Sequence, residues 1–266
     1  MQSFFILNLN LPMNKKLFIA SIFSISMLSV MAQQKAKPED TEVYTPVPPK
    51  VDPGKSGCNA PSDAVVLFNG TDLNQWVSAK DSTSPAKWIV QNGLFKVDKS
   101  VGDIQTKQSF TDYQLHLEWR VPENITGKGQ ARGNSGIFLA SVFDGGYELQ
   151  IMDSYNNDTY VNGQAGSVYK QYIPLVNPIR PPGEWQVYDV IWTAPRFNKD
   201  GSLKSPAKVT ALFNGVLVQN NVELKGRTEY IGKPTYQAHG AAPIKLQAHG
   251  DPSEPISFRN IWVRPL

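Results

Sequence analysis

The stretch GIFLASVFDGGYELQIM, from Gly136 to Met152, decides the fold because two short runs typical of β-strands flank a single turn signal. Asp144-Gly145-Gly146 is that signal, since aspartate and glycine adopt the backbone angles that a tight reversal needs. In YELQIM every second residue is apolar, which is typical of a strand with one buried face. The stretch therefore predicts a β-hairpin.

The same pattern of short strands and turns extends over most of the chain. KWIVQNGLFKV places Asn92-Gly93 between two short runs, and VTALFNGVLVQ does the same with Asn214-Gly215. Further strands are predicted at Tyr113 to Val121, Trp185 to Thr193, Ile244 to His249 and Ile256 to Val263. No amphipathic helical stretch of about 12 residues interrupts them. Many short strands without crossover helices predict an all-β sandwich of two antiparallel sheets.

Composition agrees with this fold class and excludes some functions. The chain has 266 residues, 11% of them aromatic, with 20 glycines and 20 prolines, as in a turn-rich β protein. Its net charge is +3, and we find no basic stripe interleaved with aromatic residues. Nucleic-acid binding is therefore not predicted.

The N-terminal residues 1–32 are predicted to be a signal peptide. From Met13, MNKK supplies a positive region and LFIASIFSISMLSV an apolar one, and Val30-Met31-Ala32 fits a cleavage site before Gln33. Met13 is a second candidate for the start of the chain. A membrane anchor is the rival interpretation, but the apolar run is shorter than the ~20 residues of a span. We expect a periplasmic or secreted protein with no membrane attachment after cleavage.

Residues 33–60 combine prolines and charges with almost no apolar pattern, so we interpret them as a linker before a single domain at 61–266. The one cysteine, Cys58, falls in this linker and excludes an intramolecular disulfide. We expect a structural or disordered role for it, because a lipid-modified cysteine would directly follow the apolar segment of the leader.

Alternation sorts each predicted strand into an apolar and a polar face. Glu148 and Gln150 oppose the apolar face of their strand, while Lys245, Gln247 and His249 do so in PIKLQAHG. Asn134 is bracketed by nearby glycines, which permit close approach of a ligand or strand. A solvated outer face explains any one of these strands. Amides, a carboxylate and histidine beside aromatic residues also suit the recognition of sugar hydroxyls.

The tetrapeptide Gln-Ala-His-Gly occurs twice, at residues 237–240 and 247–250, and contains two of the three histidines. The first copy precedes Ala241-Ala242-Pro243, which favours a loop. A spacing of ten residues matches no compact metal motif. We expect one functional histidine, His249, and not a metal-binding pair with His239.

Several segments in order resemble the 3-keto-disaccharide hydrolase family. They are LFNGTDLNQW (67–76), GNSGIFL (133–139), YELQIMD (147–153), GSVYKQY (166–172), PPGEWQVYDV (181–190), LFNGVLV (212–218) and PIKLQAHG with ISFRNIWVRPL (243–266). The resemblance implies a concanavalin A-like jelly-roll sandwich. It also implies an enzyme that acts on 3-keto-glycosides by removing the C2 hydrogen, eliminating the C1 aglycone and adding water.

The chain is also distantly similar to laminarinase-type glucanases but departs from their Glu-x-Asp-x-x-Glu strand. Glu148 is followed by Gln150 and then Asp153, so the carboxylate pair of a retaining glycosidase is not visible. Two alternatives remain open, a non-catalytic carbohydrate-binding module on the same sandwich and a direct glucan hydrolase.

With the family resemblance, we assign candidate roles to ten residues. Glu148, His249 and Asp153 are the candidate catalytic residues. The candidate substrate-binding residues are Arg132, Asn134, Gln150, Tyr169, Lys170, Gln247 and Arg259. The resemblance leaves open a divalent cation, for which Glu148 and His249 would be the ligands. The expected partner is a carbohydrate, and the oligomeric state is left open.

Overall fold

The computed structural model describes residues 36–56 and 58–266. The chain divides into two compact units, residues 1–49 and 50–266. In the first unit, the described residues are exposed and contain one 3-10 turn at Pro38–Thr41. The predicted signal peptide lies outside the described residues. No helix in the described ranges has the length and apolar character needed to cross a membrane.

Fifteen strands make up the second unit. They are β1 (Val65–Phe68), β2 (Trp76–Ser78), β3 (Ile89–Gln91), β4 (Leu94–Lys96), β5 (Ile104–Phe110), β6 (Tyr113–Arg120), β7 (Ser135–Phe138), β8 (Glu148–Ile151), β9 (Gln186–Thr193), β10 (Arg196–Phe197), β11 (Leu203–Ser205), β12 (Lys208–Phe213), β13 (Val216–Glu223), β14 (Ala242–Leu246) and β15 (Ser257–Pro265). Two 3-10 turns, at Gly129–Ala131 and Val161–Gly163, complete the regular structure that is described.

These strands form two main antiparallel sheets. The eight-stranded sheet has the order β13-β12-β9-β6-β15-β4-β3, with β1 also paired to β15, and the five-stranded sheet has the order β2-β5-β14-β7-β8. Strands β10 and β11 form a separate ribbon. The predicted all-β architecture of antiparallel sheets is confirmed.

The core lies between the two sheets because alternate side chains of each sheet point toward the other. Leu115, Leu117 and Trp119 of β6 are fully buried, as the alternation predicts. Tyr147, beside the five-stranded sheet, packs on Trp192 of the eight-stranded sheet with ring centroids 5.3 Å apart. Burying each such side chain contributes about 1.5–3 kcal/mol before chain entropy is counted.

The predicted hairpins are present. Asn92-Gly93 joins β3 to β4, Asn214-Gly215 joins β12 to β13, and all four of these residues have positive φ. Such angles suit the right-handed twist of a two-residue hairpin. Strands β7 and β8 pair around the loop that contains Asp144.

One strand has different bounds from those predicted. Instead of extending from Ile244 to His249, β14 begins at Ala242 and ends at Leu246. Beyond it, the amide of Ala248 donates to the Asp103 side chain at 2.8 Å, so a carboxylate replaces the next strand partner. His249 consequently lies in the loop that follows β14, beyond the end of this central strand.

The later part of the predicted linker contacts the sandwich. The amide of Asp52 donates to the Ser62 hydroxyl at 3.1 Å. The carbonyl of Cys58 accepts hydrogen bonds from Asn260 Nδ2 at 2.8 Å and Trp262 Nε1 at 3.1 Å. Two side chains of β15 therefore hold the Cys58 carbonyl on the eight-stranded sheet.

Candidate active site

An open groove of about 660 Å³ lies on the outer face of the five-stranded sheet. Its lining combines side chains from β7 and β8 with residues of five surrounding connections between strands. The lining residues are Gln130, Ala131, Asn134, Phe138, Gly145, Glu148, Gln150, Tyr160, Tyr169, Lys170, Thr228, Tyr230, Gln247, His249, Gly250 and Asp251. The groove therefore contains both first-choice catalytic residues predicted from the sequence, Glu148 and His249.

A glycine of β7 lies between two of the glutamines that line the groove. Gly136 is paired with Gln150 on β8, and its carbonyl accepts a hydrogen bond from the amide of Gln247 at 3.0 Å. A Cβ atom at position 136 would lie 2.6 Å from Glu148 Oε1. The missing side chain thus leaves the space that the Glu148 carboxylate occupies.

Glu148 is a buried acid with an unusual environment. It is 6% exposed, and among the described residues its carboxylate has neither a hydrogen-bond donor nor an ion-pair partner within bonding distance. Burial raises its pKa to about 8, although the nearby Lys245 cation acts in the opposite direction. Lys245 lies over the Phe138 ring at 4.0 Å and 3.4 Å from Asp103. A carboxyl group with this pKa can exchange a proton near neutral pH.

His249 is oriented by an acidic neighbour. Its Nδ1 lies 3.0 Å from Asp251 Oδ2, and its Nε2 lies 3.5 Å from Asn134 Nδ2. Burial alone would raise the pKa of Asp251, but hydrogen bonds from His249 and Ser253 lower it to about 2. The ionised Asp251 favours the tautomer with hydrogen on Nδ1, which leaves Nε2 available on the groove side.

Tyrosines form one wall of the groove. The hydroxyls of Tyr160 and Tyr169 are 2.5 Å apart. Lys170 donates to the carbonyl of Tyr230 at 2.6 Å and lies 4.2 Å from the centre of that ring. Lys170 has a φ of 58°. This left-handed conformation is unfavourable for residues other than glycine, and it is often found at functional sites. The wall offers aromatic faces and a cation to a bound sugar.

Amide side chains also line the groove. Asn134 Nδ2 donates to the carbonyl of Gln130 at 2.8 Å, and Gln150 Nε2 donates to Gln130 Oε1 at 3.2 Å. Gln130 is itself held by Thr159 and Gly163. These bonds fix the amides in place, as binding groups for hydroxyls require.

Three predicted site residues do not line the groove. Asp153 is fully buried and accepts hydrogen bonds from Arg132 Nε at 2.6 Å and the amide of Tyr155 at 2.9 Å. Arg259 belongs to β15 in the other sheet and bonds to Glu118 at 2.6 Å. The structure thus gives Asp153 and Arg132 contacts that order the chain after β8, and it separates Arg259 from Glu148.

The other repeated histidine lies in a different environment. His239 Nε2 is 2.9 Å from the Tyr147 hydroxyl, and its Nδ1 is 2.8 Å from the carbonyl of Gly240. It is not among the residues that line the groove. The two copies of Gln-Ala-His-Gly therefore place their histidines in separate contact sets.

The sequence interpretation missed several groove residues, namely Gln130, Tyr160, Thr228, Tyr230 and Asp251. All belong to loops, whose positions depend on distant contacts. One local signal was available, because Asp251 follows His249 by two residues and could have been considered as its hydrogen-bond partner. Thr228 is remote in sequence but accepts a hydrogen bond from the amide of Glu148 at 3.0 Å.

The groove residues do not by themselves form a metal site. Glu148 and His249 both line it, but the described part of the chain places no third thiol, imidazole or carboxylate ligand in a compact group with them. Asp251, the other groove acid, is already bound to His249 and Ser253. A divalent cation in the groove would need amide oxygens as further ligands.

Comparison with known proteins gives both a family and related structures. The family described as the 3-keto-alpha-glucoside-1,2-lyase-like domain matches residues 63–264. A 3-keto-disaccharide hydrolase from Bacteroides thetaiotaomicron is 27% identical over an alignment of 151 residues. The match covers 46% of this chain and 49% of that protein. The chain thus spans about half the length of this curated relative.

Two crystal structures from Parabacteroides distasonis, each described as a candidate glycosyl hydrolase, are similar to the chain. The first is 57% identical, with a TM-score of 0.82 and coverage of 86% of this chain and 97% of the other. The second is 21% identical, with a TM-score of 0.56 and coverage of 76% and 94%, and it shows a shared fold.

Proposed function

Since the chain belongs to the family of 3-keto-alpha-glucoside-1,2-lyase-like domains, we propose that it cleaves 3-keto-glycosides in the groove of the five-stranded sheet. The family and the relatives' names support an enzyme that acts on glycosides. The finer assignment, to 3-keto-disaccharides or 3-keto-glucosides, is supported by the chemistry of the groove.

In the proposed reaction, Glu148 acts as the base. A ketone at C3 acidifies the hydrogen on C2, and the Glu148 carboxylate takes that proton while the C–H electron pair forms an enolate. The pair then forms the C1–C2 double bond as the C1–O bond to the aglycone breaks. Addition of water across this double bond, with hydroxyl at C1 and hydrogen at C2, gives the free 3-keto sugar.

In this reaction His249, oriented by Asp251, stabilises the negative charge that develops on oxygen atoms of the substrate. His249 could donate a proton from Nε2 to the keto oxygen or the departing aglycone oxygen, and Asp251 orients the ring through Nδ1. Amides of Asn134, Gln150 and Gln247 would bind sugar hydroxyls. Tyr169 and Lys170 would contact the sugar from the tyrosine wall.

One observation carries this proposal. Glu148 is a buried carboxyl group that has no partner among the described residues and faces the same groove as a histidine oriented by aspartate. Direct hydrolysis of an unoxidised glycoside would need two available carboxyl groups across the scissile bond. Asp251 is engaged by its own hydrogen bonds, so the groove offers one available acid.

Hydrogen exchange tests the base directly. The probe is 1,5-anhydroglucitol oxidised at C3, a 3-keto sugar that lacks a leaving group at C1. Its ketone acidifies both C2 and C4, so proton NMR in D2O reports which position the protein deprotonates. We expect rapid exchange at C2 alone, slowed at least about 10²-fold by Glu148→Gln, the usual contribution of a general base.

An exposed glutamate supplies the matched control. Glu184→Gln makes the same chemical change away from the groove and should leave exchange unchanged. Undiminished C2 exchange in Glu148→Gln would show that another group is the base. Saturable binding of the probe without protein-dependent exchange would favour the carbohydrate-binding module instead.

The raised pKa also predicts a pH dependence. Because only the ionised Glu148 accepts a proton, kcat/KM should rise with pH and level off above about 8. If kcat/KM does not change between about pH 6 and 9, Glu148 is not the titrating base.

We also propose that the protein is exported, on the evidence of the charged and apolar segments from Met13 to Ala32. N-terminal sequencing of protein from the native cell envelope or medium should begin at Gln33. Recovery of the intact N-terminus from the cell interior would contradict export.

A further inference from the structure

A second polar cluster lies on the outer face of the eight-stranded sheet. Cys58, His116 and Glu118 each place one ligand atom so that the three atoms lie within 4.8 Å of one another. His116 and Glu118 alternate along β6 and therefore share its outer face. Cys58 comes from the segment that precedes β1. No part of the proposed glycoside reaction uses these residues.

The buried pair has the spacing of metal ligands. His116 Nε2 and Glu118 Oε1 are 3.6 Å apart. Ligands about 2.1 Å from a tetrahedral zinc ion stand roughly 3.4 Å from each other. These two side chains need to move little to bind one cation, although Asn260 Nδ2, which contacts both atoms, has to move aside. The exposed Cys58 can approach from its loop.

The groups behind the ligands have the arrangement found around bound zinc. Asp189 Oδ1 lies 2.7 Å from His116 Nδ1, so the hydrogen stays on Nδ1 when Nε2 exchanges its contacts with Glu118 and Asn260 for a metal ion. A carboxylate in this position orients metal-binding histidines and raises their basicity. His116 also stacks on Trp262, with ring centroids 5.3 Å apart and planes 10° apart, which fixes the ring.

The two oxygens of Glu118 have different partners. Oε2 accepts a hydrogen bond from Arg259 Nε at 2.6 Å, whereas Oε1 accepts one from Asn260 Nδ2 at 2.9 Å and lies 3.6 Å from His116 Nε2. A carboxylate oxygen has a second lone pair, so Oε1 can also bind a cation. The Arg259 contact holds the carboxylate in place, so Oε1 is fixed beside His116 and the Cys58 segment.

A β-bulge connects the cysteine to the pair. Between Arg259 and Trp262 the register of β15 against β6 shifts, and Asn260 has a φ of 45°. Bulges redirect side chains, and here Asn260 reaches both Glu118 Oε1 at 2.9 Å and the Cys58 carbonyl at 2.8 Å. The backbone of Cys58 is thereby held beside the imidazole and carboxylate.

We propose that Cys58, His116 and Glu118 bind one zinc ion, which clamps the segment before β1 to the eight-stranded sheet. Thiolate, imidazole and carboxylate together suit zinc better than calcium or magnesium, which prefer oxygen ligands. Water completes the coordination on the exposed side. The site is independent of the groove and of the reaction proposed there.

Cobalt provides the first test because it substitutes for zinc and reports thiolate bonding. We expect Co²⁺ titrated into chelator-treated protein to produce a thiolate-to-cobalt charge-transfer band that saturates at one ion per chain. Cys58→Ser should abolish the band, and the groove variant Glu148→Gln should retain it. Absence of the band, or its persistence in Cys58→Ser, would overturn the proposal.

Thiol protection and the orienting carboxylate give a second test. Since Cys58 is the single cysteine, zinc should slow its reaction with a thiol reagent in the wild type. Asp189→Asn removes the charge behind His116 and should weaken zinc binding about 10–100-fold, the usual effect of losing such a partner. Equal labelling rates with and without zinc, or unchanged affinity in Asp189→Asn, would contradict the site.

Discussion

The two outer faces of the sandwich each carry a buried glutamate, and the two have opposite chemistry. Glu148 on the five-stranded sheet is 6% exposed, and Glu118 on the eight-stranded sheet is 5% exposed. Burial raises the pKa of Glu148 to about 8. Burial also acts on Glu118, but its partners His116, Asn260 and Arg259 lower its pKa to about 2.

The two pKa values therefore differ because of the partners of each carboxylate and not because of how deeply each is buried. Desolvation destabilises either carboxylate, and only Glu118 has donors that compensate. An acid without donors retains its capacity to take up a proton, whereas an acid with three donors stabilises structure. The following predictions test this distinction, from the largest expected effect to the smallest.

Removing the charge of each glutamate should affect different properties. Glu148→Gln should lower kcat/KM on a 3-keto-disaccharide by about 10²–10⁴-fold, because the general base is lost. Glu118→Gln should leave kcat/KM within roughly threefold, since the residue lies on the other sheet and a distant change rarely reaches the reacting atoms. Release of 3-keto-glucose measures both. Equal losses in the two variants would mean that Glu148 has no special role.

Adding one methyl group should displace the Glu148 carboxylate. In Gly136→Ala the new Cβ would meet Oε1 at 2.6 Å, and a shift of about 1 Å in a catalytic group can cost about 10²-fold in rate. We expect kcat to fall with little change in KM. Gly240→Ala is the control, because its Cβ would meet no atom within 4 Å. Wild-type kcat in Gly136→Ala would show that the groove tolerates a displaced carboxylate.

Truncating Glu118 should destabilise the fold. Glu118→Ala leaves Arg259 and His116 without their shared carboxylate, and breaking a buried pair costs about 3–5 kcal/mol. The Arg259 side chain is 42% exposed, so solvent reduces the expected cost to about 2 kcal/mol. Tm should fall by about 4–8 °C in a thermal scan of metal-free protein. Glu148→Ala should lower Tm less, and the reverse order would contradict the comparison.

The two acids should also give stability opposite pH dependences. Glu148 has a folded pKa of about 8 against an ordinary value of 4.5, so it binds its proton more tightly when folded. Its contribution to stability should decline as pH rises from 4.5 to 8, by at most about 1.4 kcal/mol per pH unit. Relative to the wild type, Glu148→Gln should therefore gain stability over that window.

Glu118 should do the reverse. Its folded pKa of about 2 lies below the ordinary 4.5, so its stabilisation is present above pH 4.5 and lost as pH falls toward 2. Denaturant unfolding of wild type, Glu148→Gln and Glu118→Gln across pH, with chelator present, measures both windows. Parallel curves for the three proteins would show that partners do not distinguish the two acids.

The sequence predicted the sandwich and the central part of the groove because both depend on local patterns. Asn92-Gly93 and Asn214-Gly215 mark hairpins by their backbone preferences alone. The alternation of β8 is enough to place Glu148 and Gln150 on one face. These inferences need no knowledge of distant contacts.

The remaining features depend on which strands become neighbours. Arg259 is a polar residue within an apolar strand, and the sequence pattern cannot tell that β15 belongs to the other sheet, beside Glu118. Asp153 follows β8 directly, yet its bond to Arg132 turns it away from the groove. Tyr230 reaches the groove through a loop some 80 residues after β8. Such placements arise from pairing and loop packing, which single-chain patterns do not encode.

The position of β15 has a consequence for the order in which the protein can form. Val65 in β1 pairs with Val263 in β15, and β15 also lies between β6 and β4. A ribosome must therefore synthesise roughly 200 further residues before β1 meets its partner, and contacts so distant in sequence slow folding. The nascent sandwich keeps open strand edges until β15 emerges, so protection from aggregation during synthesis matters for the yield of active protein.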